Sequence, residues 1–145
     1  MRPCLRLAPL LVLVGFLSGI AFSVVNTVLC AWLWTEGFGF VLTGVALMGV
    51  FITPFVGALT AFAICVAVCG LRPSTVAQAT FVAIALSLLP VAAINLSIAV
   101  PYGLFGILFW APVTTIPTVG QILTSLWVGH RAFLLRPQPS RHPAA

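Results

Sequence analysis

Arg72 to Val100 reads RPSTVAQATFVAIALSLLPVAAINLSIAV, and after its one arginine it carries no charge. A helix needs about 20 apolar residues to cross a hydrocarbon core of about 30 Å, and Val76 to Val100 supplies such a run. The polar turn Arg72-Pro73-Ser74-Thr75 precedes it, and Pro101-Tyr102-Gly103 closes it. The next charge, Arg131, lies beyond a second apolar stretch. Upstream the pattern repeats, with Glu36 the only charge between Arg6 and Arg72. The lipid bilayer is therefore the solvent this sequence is written for.

Composition places the chain in the same class. It is 62% hydrophobic and 5% charged, with a mean hydropathy of +1.27, whereas soluble domains are roughly 45 to 50% apolar and about 25% charged. The net charge of +5 rests on six arginines. They sit at the edges of apolar runs and form no continuous stripe for a phosphate backbone to follow, so nucleic acid is excluded as a partner. Richness in Ala, Gly, Pro, Val and Arg, with no Lys, points to a GC-rich genome and a bacterial inner membrane.

The expected fold is an all-α polytopic membrane protein of four transmembrane helices arranged as two hairpins. The helices are expected at about 7–33, 50–71, 76–100 and 107–129, in one domain covering 1–131. Residues 38–49 are expected as a tilted extension or an interfacial segment, because 34 helical residues would reach about 51 Å. Pro54 is expected to break the ladder inside that run. Both termini and the Arg72 turn hold every arginine, so the excess of positive charge predicts an N-in, C-in topology. Trp32, Trp34, Tyr102 and Trp110 at one level, with Trp127 at the other, match the aromatic belts of membrane interfaces. The proline-containing end, 132–145, reads as a disordered cytoplasmic tail. Ala21-Phe22-Ser23 resembles a small-x-small cleavage site, but the apolar run continues to Leu33, so a retained first helix is expected.

An internal duplication is a second reading of the same pattern. Pro54-Phe55-Val56-Gly57-Ala58-Leu59-Thr60 resembles Pro117-Thr118-Val119-Gly120-Gln121-Ile122-Leu123-Thr124 with one residue inserted, and Asn26 and Asn95 are the only asparagines. Two equivalent hairpins would carry these matches.

When every face of a helix is apolar, small and polar residues mark the contacts. Gly15, Gly19, Ser23, Asn26 and Cys30 form one such stripe, and Gly57, Ala61, Cys65 and Cys69 form another. A third comprises Ala79, Ala83 and Ser87. Thr114, Thr118, Gln121 and Ser125 make the most polar stripe, a candidate pore lining together with Asn26 and Asn95, which are also placed to bond each other. Gly120 joins the packing set, and Pro54 and Pro117 are candidate hinges.

Chemistry is restricted by what the apolar runs lack. They contain no Asp, Glu, His, Lys or Arg apart from the edge residues, whereas coupled carriers use ionisable groups within the membrane. Glu36 is the only carboxylate, so a two-carboxylate mechanism within one chain is excluded. The serines have no intramembrane base, and His130 and His142 lie at or past the edge, so no metal site and no cofactor are expected. The four cysteines read as small packing residues. The sequence thus points to a non-enzymatic protein whose partners are the bilayer and either other membrane subunits or its own copies. The expected role is an accessory or assembly subunit, with a small oligomeric channel or carrier for a neutral or weakly polar solute as the alternative.

Overall fold

No water satisfies backbone N–H and C=O groups in lipid, so an apolar chain closes its hydrogen bonds within helices. The computed structural model describes residues 7–33 and 38–135, and nearly all of them are helical. Helix α1 spans Ala8–Leu33 and α2 spans Phe38–Leu71. A third helical run, Val76–Leu134, is broken at Gly103, where φ 62° and ψ −158° are non-helical. It therefore comprises α3, 76–102, and α4, 104–134. Among the described residues three stretches are long and apolar enough to cross a membrane: Ala8–Trp32, Thr43–Leu71 and Val76–Ala93.

Residues 38–49 continue into the rest of α2 without a break, and the helix runs through Pro54. The side chains of 33–42, of Asn95 and of several residues near the α3–α4 junction lie outside the described residues. At the other end of the chain, residues 132–134 were expected to begin a disordered tail but belong to α4. The reason is register. Ala132 stands one turn beyond Val128, and both join Ala8, Leu11, Ile64 and Val68 in the core, with Ala132 only 1% exposed. Residues 136–145 lie outside the described residues.

Each reversal has a local cause. Arg72 takes a left-handed φ of 50° directly after α2, and Pro73 follows it, a common way to end a helix. Thr75 caps α3 by accepting from the Gln78 N–H. Gln78 Oε1 accepts in return from the Ser74 N–H at 2.7 Å and the Ser74 hydroxyl at 3.0 Å. This is a capping-box arrangement in which the glutamine reaches one residue further back than usual. At the opposite end Gly103 occupies a backbone region essentially reserved for glycine.

The core is built from small and branched residues, whereas Leu17, Phe51, Phe55, Leu59, Phe81 and Leu104 face outward. Large groups outside and small groups inside reverse the soluble pattern. In lipid the outside is as apolar as the inside, so close backbone approach decides which residues turn inward.

Candidate functional site

Glycine brings α1 and α2 together. A Cβ on Gly15 would stand 2.5 Å from Gly57 O and 2.8 Å from Ala61 Cβ, and one on Gly19 would stand 2.7 Å from both Thr53 O and Pro54 Cα. The two backbones are therefore in direct contact over two turns. The Thr53 hydroxyl sits at this crossing, 3.0 Å from Gly19 O on α1 and 2.9 Å from Gly49 O on its own helix. Ser23 Oγ pairs with it. Because Thr53 has one proton and two carbonyls to give it to, the consistent arrangement has Ser23 donating to Thr53. Phe16 and Phe55 meet edge to face beside the crossing, with ring centroids 5.7 Å apart.

Proline and asparagine join α1 to α4. Pro117 has no N–H, so the carbonyl of Val113, four residues earlier, loses its helical donor. Asn26 Nδ2 donates to that carbonyl at 2.8 Å. The reverse orientation of the amide would set oxygen against oxygen, so the acceptor fixes which way Asn26 points. Its Oδ1 is buried without a hydrogen-bond partner. One turn away, the Phe22 ring lies over Gly120, where any Cβ would overlap it. Lower in the bundle a Cβ on Gly129 would stand 2.7 Å from Ala83 Cβ and 3.4 Å from Ala79 O, so α4 also packs tightly on α3, through a side chain and not backbone to backbone as α1 meets α2.

The polar stripe anticipated on α4 is divided among several environments. Thr114 turns back toward its own helix, 3.2 Å from Trp110 O. Ser125 is buried. Thr118 and Gln121 instead border a cavity of about 50 Å³, together with Gly19 and Phe22 of α1, Thr53 of α2 and Pro90 of α3. Asn26 bonds Val113 rather than another asparagine, and the Asn95 side chain lies outside the described residues. Gly15, Gly19, Gly57, Ala61, Cys65 and Gly120 stand at helix contacts. Pro54 adjoins Gly19, and Pro117 borders the cavity.

No protein-family model, curated protein or solved structure matches this chain. What it can do must therefore be argued from its own residues.

Thr53, Ser18, Phe22, Pro90 and Gly129 are the site and contact residues that stripe reading passed over. Thr53 carried a usable signal, since a hydroxyl next to Pro54 is well placed to serve carbonyls in a distorted ladder. Phe22 carried none, because an aromatic ring over a distant glycine follows no local spacing. Cys30 and Cys65 are free and buried. Cys69 takes part in a disulfide, which corrects the reading of it as a plain packing residue. Among the described residues no three His, Cys, Asp or Glu side chains stand together. At the edge of α4, the Arg131 guanidinium lies 5.4 Å from the centre of the exposed Trp127 ring, a cation–π contact suited to an interface.

Proposed function

We propose that this chain is a non-enzymatic, four-span protein of a cell membrane, that of a bacterial inner membrane, with both termini cytoplasmic. Its role is that of an accessory or assembly subunit packing against a larger membrane complex. The observation that carries this reading is the closed interior. Gly15 and Gly57 are in backbone contact, and Ile64, Val68 and Val128 are fully buried. Recognition then falls to the outer helix faces. Exposed residues available for it include Leu88, Leu89, Leu96 and Val100 of α3 and Leu104 and Leu108 of α4. Purification in mild detergent from the native membrane, followed by native mass spectrometry, tests the proposal. Stoichiometric larger subunits are expected; a homo-oligomer without other subunits would overturn it.

One observation favours a second reading, an oligomeric channel or carrier for a neutral solute: Thr118 and Gln121 border a cavity whose lining is otherwise mostly apolar. On that reading Gln121→Leu abolishes solute flux in proteoliposomes while insertion is unchanged. Unchanged flux would remove it.

The orientation rests on the arginines, which share one side of the four-span arrangement. The disulfide at Cys69 argues the other way, because cytosolic thiols are kept reduced. The arginine bias draws on six residues at three places, so we place Cys69 on the cytoplasmic side. Ser74 is exposed in the Arg72 turn, so in Ser74→Cys a membrane-impermeant maleimide should label residue 74 only after cells are permeabilised. Labelling of residue 74 in intact cells would reverse the orientation.

A further inference from the structure

The cavity receives one contribution from the middle of every helix: Gly19 on α1, Thr53 on α2, Pro90 on α3 and Gln121 on α4. Gly19 borders the space with backbone alone, and the compact ring of Pro90 fills less of it than a leucine would. The volume of about 50 Å³ compares with roughly 10 to 15 Å³ needed per water on the same measure. Three waters, or one molecule with a few heavy atoms, fit.

Two of the polar side chains around this space, Thr118 and Gln121, are not used up by the protein. Six threonines of the helices, Thr27, Thr53, Thr60, Thr114, Thr115 and Thr124, turn their hydroxyls toward a carbonyl one turn back. This is the usual resting place of a helical threonine. Thr118, like Thr43 and Thr80, does not do so, and neither its hydroxyl nor the Gln121 carboxamide bonds any described residue. The carboxamide is held close to α2, its Oε1 3.4 Å from where a Cβ on Gly57 would stand. Ser18 donates to Gly15 O at 3.0 Å and keeps its lone pairs for another donor. A carboxamide at the centre of a bundle, away from bulk water, needs a partner, and the cavity is where one fits.

We propose that this cavity is a binding site for a small neutral hydroxylic guest that both donates and accepts hydrogen bonds, held by Gln121 and Thr118. Water and short-chain alcohols share that chemistry. The guest is neutral because no ionisable side chain lines the space, and small because of its volume. The site stands whether the chain acts as a subunit or as a channel, since it needs no path to either surface of the membrane.

Solid-state NMR of the full-length, isotopically labelled protein in phosphatidylcholine bilayers tests the site through magnetisation transfer from water. Transfer to the Gln121 side-chain amide is expected at a rate comparable to that of exposed Gln78, with none to Ile64 or Val68. A wild-type Gln121 as silent as Ile64 would overturn the proposal. In Thr118→Val, which keeps the side-chain shape, transfer to Gln121 should be lost; full retention would overturn the shared site. Titration with ethanol then separates the two sources. A saturable shift at Thr118 and Gln121, with loss of the water signal, supports the site and assigns it a guest that alcohols replace. A retained water signal with no saturation supports the site and assigns the guest to water alone.

Discussion

The seam between α1 and α2 and the outer face of α3 are both apolar, yet at one the helices meet backbone to backbone and at the other large side chains stand exposed. At the seam, Gly15, Gly19, Gly57 and Ala61 place small groups opposite small groups, and Thr53 bridges to a carbonyl on the neighbouring helix. Along the far half of α3, Leu88, Leu89, Leu96 and Val100 project outward. A third of the apolar window within Thr43–Leu71 of α2 is buried within the fold, against 17% for Val76–Ala93 of α3. Hydrophobicity does not separate them, because lipid receives a leucine as readily as a neighbouring helix does. Size separates them: helices approach where nothing projects.

Placing a large side chain in the seam is the most severe way to break this contrast. Gly57→Leu should destabilise the fold by at least the roughly 1 to 3 kcal/mol of ordinary overpacking, because the clash is with the Gly15 backbone and not with a flexible side chain. Gly49→Leu, on the same helix but facing open space, should leave stability nearly unchanged. Thermal unfolding in detergent reads both, and equal effects would mean that the seam is not where α2 is held.

Gly103 probes the boundary of the open region. Gly103→Ala should cost about 1 to 3 kcal/mol, since only glycine adopts this backbone without strain. Gly70→Ala, in helical backbone with no neighbour near the added methyl, should gain about 0.5 to 1 kcal/mol. Opposite shifts in the same unfolding assay are the expected result.

Asn26 sharpens the comparison by testing whether a polar link holds α4 to α1 as glycine holds α2. Asn26→Leu should cost about 0.6 kcal/mol, and up to about 1.7, the range of hydrogen bonds between membrane helices. In a Pro117→Ala background, residue 117 regains its N–H and serves the Val113 carbonyl itself, so the cost of Asn26→Leu should shrink. A double-mutant cycle measures that coupling, and strict additivity would show that the freed carbonyl is not what Asn26 serves. The turn should shift stability the other way. Arg72→Gly should add about 1 kcal/mol by removing a left-handed non-glycine residue.

Much of the architecture was legible because composition and charge act locally. Val76 to Val100 had no alternative to helix in lipid, and Gly103 was legible as a stop because Pro101-Tyr102-Gly103 interrupts the run. The continuation of α4 through residues 132–134 was not, because it depends on Ala132 meeting Ala8 and Leu11 from the far end of the chain. The candidate site was legible in part. Gln121 and Thr118 stood out as polar residues in an apolar stretch, but so did Thr114 and Ser125, which lie elsewhere. No spacing rule tells a threonine that bonds its own helix from one that leaves its hydroxyl to a cavity.

The sequence by itself determined that this is a helical protein for a membrane, because backbone groups in lipid have no partner but one another and the charges sit only at the edges of the runs. It also determined the small-residue stripes, since a glycine or alanine every fourth position is a property of the chain. Tertiary structure alone decided which stripe met which, that Asn26 would serve the carbonyl freed by Pro117, and that Thr118 and Gln121 would share a cavity with Gly19 and Pro90. Those pairings join residues dozens of positions apart, and all of their faces are apolar enough to fit lipid. Only the closeness of backbone approach, a property of two helices together, distinguishes one pairing from another.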